Sequence, residues 1–187
     1  MIVSSELPCA ALKFDPSGTR HLFVRESSAC ARPAGAEVGG LAVWTVAHDG
    51  AALSDPQDMC LSLRSVAALL ERLERRLAQE KVGLRLYVAG SATFLAQVAK
   101  VADAAGLGVE EVLFAPPSDG TRRVMCIHCD TITETADSTS VVCQGCGTDL
   151  CIREHYSRQI GAYMGVGEPA AVVRAMEEAA QHGETWG

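Results

Sequence analysis

The sequence predicts an α/β protein: a small, open, mostly parallel sheet with flanking helices, followed by a β-rich module organised around cysteines. Three observations predict it. Short apolar runs alternate with helical periodicity between residues 21 and 114, a proline pair breaks the pattern at Pro116-Pro117, and two C-x-x-C pairs lie beyond that break. The chain has 187 residues, of which 48% are hydrophobic and 21% charged, the composition of a folded chain rather than a disordered one. Aromatic residues make up only 5%, so Leu, Val and Ala must fill most of the core.

The elements follow in order. Residues 1–18 contain Pro8, Pro16 and Gly18 and have no clear period, which predicts an irregular lead-in. His21-Leu22-Phe23-Val24-Arg25 is a short apolar run and a predicted strand, and residues 26–40, rich in Ala, Ser, Gly and Pro33, read as a loop. Residues 41–47 (LAVWTVA) are apolar and β-branched between Gly40 and the His48-Asp49-Gly50 turn, a buried strand. In residues 65–80, Val66, Leu69, Leu70, Leu73 and Leu77 recur as one stripe of a 3.6-residue period. Residues 84–89 (LRLYVA) form the next strand. Residues 92–105 form a second helix with Leu95, Val98, Ala102 and Ala105 on one face and Gly106 as its stop, and Val112-Leu113-Phe114 is a last short strand. Two prolines cannot continue a central strand, so domain boundaries are expected at residues 1–117, 118–166 and 167–187, with a third helix in the tail beginning near Pro169.

Several classes are disfavoured at once. No run of about 18 apolar residues is present, so no membrane span is expected. The first residues have neither a basic start nor an apolar stretch, so no secretory signal is expected and the cytoplasm is the expected compartment. The net charge is −7. Across residues 122–165 the basic residues Arg122, Arg123, Arg153 and Arg158 are outnumbered by Asp130, Glu134, Asp137, Asp149 and Glu154, which argues against nucleic acid as a partner.

The cysteines carry the strongest signal. Cys126-Ile127-His128-Cys129 is followed after thirteen residues by Cys143-Gln144-Gly145-Cys146-Gly147. Two such turns can aim four thiolates at one tetrahedral ion, and four sulfurs leave no open coordination position for catalysis. The expected metal ligands are therefore Cys126, Cys129, Cys143 and Cys146, the expected ion is a structural Zn²⁺, and the module reads as a zinc ribbon. Strand-like runs at residues 122–125, 141–142 and 150–153 agree with that layout. Iron in the same cage, as in rubredoxin, is the alternative, and Asp130 after the first pair in place of glycine speaks against it. Cys151 is expected to be a small buried apolar residue, and no chemistry is assigned to Cys9, Cys30 or Cys60.

Three further stretches stand out. The Gly90-Ser91 turn joins a strand to a helix, the position where open parallel sheets bind nucleotides. Residues 84–114 resemble the last strand–helix–strand unit of the nicotinamide-binding domain of ferredoxin–NADP reductases, but no G-x-G-x-x-G occurs, so no nucleotide site is assigned. Glu154-His155-Tyr156-Ser157-Arg158 reads as a polar-aromatic partner contact. Tyr163-Met164-Gly165-Val166-Gly167 reads either as a docking segment or as a segment packed back on the ribbon.

Together, the two cysteine pairs, Arg153-Glu154-His155-Tyr156-Ser157-Arg158 and Ala162-Tyr163-Met164-Gly165-Val166 resemble the C-terminal domain of DmmA-like subunits of bacterial dimethylamine monooxygenase. The resemblance covers about forty-five residues closely and the N-terminal α/β part more loosely. It implies a multisubunit oxidoreductase that N-demethylates dimethylamine to methylamine and formaldehyde with NADPH and O₂. Haem, flavin, an iron–sulfur centre and tetrahydrofolate are then expected on partner subunits: a haem subunit, a flavin and iron–sulfur reductase subunit, and a tetrahydrofolate-binding subunit. This chain, which has no motif for any of these groups, is implied to be a non-catalytic accessory subunit that assembles or positions its partners.

Overall fold

The computed structural model describes residues 12–36, 40–47, 60–136 and 139–167. The helix expected in the tail lies outside the described residues. The first sheet comprises β1 (Arg20–Arg25), β2 (Leu41–Val46), β3 (Cys60–Leu63), β4 (Leu84–Ala89) and β5 (Val112–Phe114), with α1 (Val66–Leu77) and α2 (Ala92–Ala104) between its later strands. Its order is β3-β2-β1-β4-β5 and every ladder in it is parallel. Four of the five strands are legible in the sequence. The edge strand β3 is not, because Cys60-Leu61-Ser62-Leu63 is short and half-buried throughout.

Both helices begin on a serine. The Ser65 hydroxyl accepts from Ala68 N at 3.2 Å and the Ser91 hydroxyl accepts from Phe94 N at 3.2 Å, each satisfying an amide that the first turn leaves unpaired. α1 buries Leu69, Leu73 and Leu77, and α2 buries Phe94, Leu95, Val98 and four alanines. Both helices cover the same face of the sheet. Their apolar stripes meet Leu22 and Val24 of β1, Trp44 and Val46 of β2, and Leu84, Leu86 and Val88 of β4 in one core. Strand side chains alternate in direction, so Phe23, Val43, Tyr87 and Ala89 point to the other face. No described helix covers that side. Leu12, Phe14 and residues around Cys30 and Ala36 close it instead, and a bridge between Lys13 and Ala34 ties the two covering segments together. Asp15 pins this cover: its carboxylate accepts from Arg85 Nε, its backbone N–H donates to Tyr87 Oη at 2.9 Å, and the Phe14 ring lies 4.2 Å from that of His21.

The second sheet comprises β6 (Arg122–Cys126), β7 (Ile132–Thr135), β8 (Ser140–Val142), β9 (Asp149–Ser157) and β10 (Ala162–Gly167), in the order β7-β6-β10-β9-β8. β10 is central, parallel to β6 and antiparallel to β9. The Tyr163–Gly167 stretch is therefore a core strand packed within the cysteine module, and Tyr163 is buried. Gly165 is required there: a Cβ would stand 2.7 Å from Val124 and 2.9 Å from Leu150. β9 runs four residues beyond the expected strand and takes in the Glu154–Ser157 run.

The two sheets are joined along a seam. Tyr156 packs against the helix-side core of the first sheet and against the small core of the second. Arg158 donates to Leu107 O at 3.3 Å, and Thr93 Oγ1 donates to Glu134 Oε1 at 2.7 Å. Gly161, at φ +72°, lies so close to α2 that a Cβ would come within 2.6 Å of the Ala96 side chain, and Arg123 donates to its carbonyl at 3.0 Å. The polar-aromatic run expected to meet a partner is thus partly spent inside the chain: Tyr156 and Arg158 face the seam, while Arg153, Glu154 and His155 are exposed. The sequence gives no sign of this, because polar and aromatic residues suit an internal seam as well as an external one.

Two outcomes test these joints. Gly161→Val adds backbone strain and overlap with α2 and is expected to cost roughly 2–4 kcal/mol, read as a lower urea midpoint. The Arg85 guanidinium holds the Asp15 carboxyl down at about 2, below its ordinary 3.8. Stability from this pair is therefore complete above about pH 4 and lost as pH falls towards 2. Asp15→Asn is expected to lower the melting temperature at neutral pH and to flatten the acid limb of the melting-temperature profile between those values.

Candidate metal centre

The two cysteine pairs adopt the same local structure. In the first, Cys126 N donates to Thr131 O at 3.0 Å and Asp130 N to Cys126 O at 2.9 Å. In the second, Cys143 N donates to Thr148 O at 2.9 Å and Gly147 N to Cys143 O at 2.9 Å. The residue after each pair turns left-handed: Asp130 at φ 59° and Gly147 at φ 72°. Aspartate tolerates this region better than most residues, so Asp130 does the work that glycine does in the other turn. The sequence-based objection to a rubredoxin-like arrangement therefore loses its structural basis.

Each turn offers one inner and one outer sulfur. Cys126 and Cys143 are buried, while Cys129 and Cys146 are exposed. All four Sγ atoms lie within 4.8 Å of one another, with Cys126 to Cys146 at 3.8 Å and Cys129 to Cys143 at 3.5 Å. Four sulfurs placed tetrahedrally at about 2.3 Å from one ion would be about 3.8 Å apart. The donor set therefore fits a single tetrahedral ion. It does not fit disulfides, whose sulfurs sit at about 2.05 Å, and all four thiols are free.

Hydrogen-bonding groups surround all four sulfurs, while burial opposes charge on Cys126. Amides donate to the inner sulfurs, His128 N to Cys126 at 3.4 Å and Gly145 N to Cys143 at 3.4 Å. Hydroxyls flank the outer ones, Thr131 Oγ1 at 3.4 Å from Cys129 and Thr148 Oγ1 at 3.3 Å from Cys146. The hydroxyl and amide of Thr148 bring the Cys146 thiol down to about 6, amide donors led by that of Cys146 lower Cys143, and burial pushes Cys126 up to about 11. Thr131 and Thr148, which flank the outer sulfurs, were missed by sequence reasoning. The repeated C-x-x-C-x-Thr pattern was the signal that could have found them. Gly145 is fixed by space: a Cβ would collide with Thr131 and stand 3.1 Å from Cys129 Sγ.

Ile127 N donates to Gly165 O at 3.1 Å and Gln144 N donates to Thr133 Oγ1 at 3.2 Å, so β10 and the first hairpin hold the two turns in register. His128 is exposed and outside the sulfur cluster. Cys151, expected to be buried, is half-buried on β9, and Cys30 and Cys60 border the helix-free face of the first sheet. Cys9 lies outside the described residues.

The Gly90-Ser91 turn stands where the sheet order reverses, at the carboxyl ends of β1 and β4. Its amides serve the chain itself. Ser91 N and Oγ donate to the Glu26 carboxylate at 2.6 and 3.0 Å, and Ala92 N is shared by the two Asp119 oxygens at 3.3 Å each. Two carboxylates thus stand at the helix end that a phosphate would approach.

Comparison with known proteins gives a consistent result. Two family models match, "Dimethylamine monooxygenase subunit DmmA-like, N-terminal domain" over residues 1–112 and "Dimethylamine monooxygenase subunit DmmA-like, C-terminal domain" over residues 123–166. The heme-dependent oxidative N-demethylase delta subunit of Ectopseudomonas mendocina (strain ymp) is 38% identical over 102 residues, 54% of this chain and 58% of that protein. No solved structure matches. With both parts of the fold covered by these matches, the chain belongs to the DmmA-like family of dimethylamine monooxygenase subunits.

Proposed function

We propose that this chain is an accessory, non-catalytic subunit of a haem-dependent, NADPH- and O₂-using monooxygenase that N-demethylates dimethylamine, and that Cys126, Cys129, Cys143 and Cys146 hold one structural Zn²⁺. The observation that carries the reading is a closed four-sulfur cage on a chain whose two parts both match the family. Four protein ligands leave an ion no position for water or substrate, so the ion's work is to hold β6, β7, β8 and β9 together. The second sheet has only a small apolar cluster to bury, and a metal cross-link would supply stability that this cluster does not.

In this reading haem, flavin, the iron–sulfur centre, NADPH and tetrahydrofolate belong to partner subunits, and the chain's role is to assemble or position them. The division at residues 1–117, 118–166 and 167–187, and a reducing, cytoplasmic setting for the free thiols, are parts of the same proposal. Among the described residues no helix is long and apolar enough to cross a membrane.

A second reading places iron in the cage as a rubredoxin-like electron-transfer centre. The left-handed Asp130 removes the objection to it, and the matched amide donors to sulfur suit a ferric as well as a zinc tetrathiolate. A visible spectrum with metal analysis decides between the two: a colourless chain with one zinc supports the first reading, and a red chain with one iron supports the second. In either case Cys143→Ser is expected to remove the ion, because it replaces a buried ligand, and to unfold the second sheet, lowering the urea midpoint. A variant that keeps one ion per chain would sink the ligand assignment. For the assembly, the tagged chain expressed in its native host is expected to co-purify with a haem-absorbing protein; a chain that elutes alone counts against the subunit role.

A further inference from the structure

A groove of about 560 Å³ opens between α1 and the amino ends of β1 and β2. Its floor is Trp44, Leu22 and Ala42, and its walls carry Arg20, Arg72, Arg75 and Arg76 with no carboxylate among the lining residues. α1 segregates its charge to produce this wall. Arg72, Arg75, Arg76 and Gln79 fall within about 100° of arc on one flank, whereas Glu74 falls on the opposite flank. Four of the chain's 16 basic residues thus border one groove on a protein of net charge −7.

The cations are partly pre-set. Glu80, whose side chain is 9% exposed, bridges Arg20 Nε at 2.7 Å and Arg76 Nη2 at 2.9 Å. Arg20 also donates to the carbonyls of Lys81 and Val82 at 2.6 and 3.1 Å. One carboxylate between two guanidiniums leaves a surplus positive charge held in place. Arg75 pairs with Glu71 at 2.6 Å, but both side chains are about two-thirds exposed, so water competes strongly with that pair. Among the described residues Arg72 makes no ion pair. Val82, 94% exposed, stands next to the carbonyls that fix Arg20.

We propose that this groove docks an extended acidic segment of a partner protein. Charge complementarity selects an anionic occupant, and its length selects a chain: Arg72 to Gln79 span about 10 Å of helix, more than one phosphate or carboxylate can bridge. The guanidiniums line an open rim rather than converge in a closed pocket, which suits steering and docking of a peptide better than enclosure of a small molecule. Guanidiniums pre-set by Glu80 lose less freedom on binding than free ones. The inference rests on the subunit reading above and adds to it the face used and the chemistry of the partner.

The test uses fluorescein-labelled octaglutamate titrated with the full chain. Arginines also line other surface grooves, Arg122 and Arg123 among them, so binding is assigned to this groove by its response to the Arg72 variants. Saturable binding is expected at about 50 mM salt, weakening steeply towards about 300 mM. Arg72→Glu, which breaks no ion pair, is expected to weaken it at least ~tenfold, Arg72→Gln to weaken it less in the same direction, and Glu74→Gln on the far flank to leave it within about twofold, all at an unchanged melting temperature. The proposal is overturned if octaglutamate does not bind at low salt, if Arg72→Glu binds as wild type does, or if micromolar citrate displaces the peptide, which would make the groove a small-polyanion site. Because the titration uses the isolated chain, its failure is separable from a failure to co-purify with a haem protein.

Discussion

Four sulfur atoms within 4.8 Å cannot all carry negative charge unless a cation stands between them, and the second half of this protein is arranged around that constraint. Amides point at the two buried sulfurs, hydroxyls flank the two exposed ones, and each turn closes with a left-handed residue that returns the chain to its sheet. The two turns use the same hydrogen bonds, so neither dominates, and the sheet order β7-β6-β10-β9-β8 brings them together. What remains of the core there is Val124, Leu150, Ile152, Tyr163 and the buried cysteines themselves. So small a cluster gives the sulfur site a larger share of the stability than it would have in a domain with a full core.

The parallel sheet has the opposite economy. It buries two layers of side chains: one under α1 and α2, the other under the Leu12–Asp15 segment and the loop near Cys30. Its order is that of half of a doubly wound fold, and such folds bind ligands where the strand order reverses. Here Glu26 and Asp119 stand at the first amides of α2 and link β1, β4 and the connection to the second sheet. A feature that serves ligand binding in other sheets serves internal bracing in this one. The same bracing continues at Tyr156, Arg158 and Gly161, so the position of the four-sulfur cluster relative to the parallel sheet is set by named contacts.

The proposed positioning role would call for surfaces of distinct character, and the charge of this chain is unevenly distributed. Positive charge gathers on one flank of α1 while the whole is strongly negative, so different faces present different potentials to approaching proteins. The arginine groove borders the amino ends of β1 and β2, whereas the seam to the second sheet involves α2 and β5's flanking turn. Two kinds of contact can therefore be made without competing for one surface.

The sequence by itself determined the elements whose signal is local. The helical stripe from Val66 to Leu77, the buried strands around Phe23, Trp44 and Val88, and the four cysteines with their spacing could all be read before any coordinates, because burial on one face imposes a period and metal ligation imposes a spacing. Only the tertiary structure decided which strands pair, that β3 exists, that Tyr163 and Gly165 lie in the central strand of the second sheet, and that Tyr156 and Arg158 face inwards. It also decided that Asp130 would be left-handed and that Glu26 would reach Ser91, 65 residues away. These are long-range or conformational facts. A polar or aromatic side chain carries no mark of its eventual neighbour, and pairing between distant segments is settled by packing the whole chain rather than by any window of it.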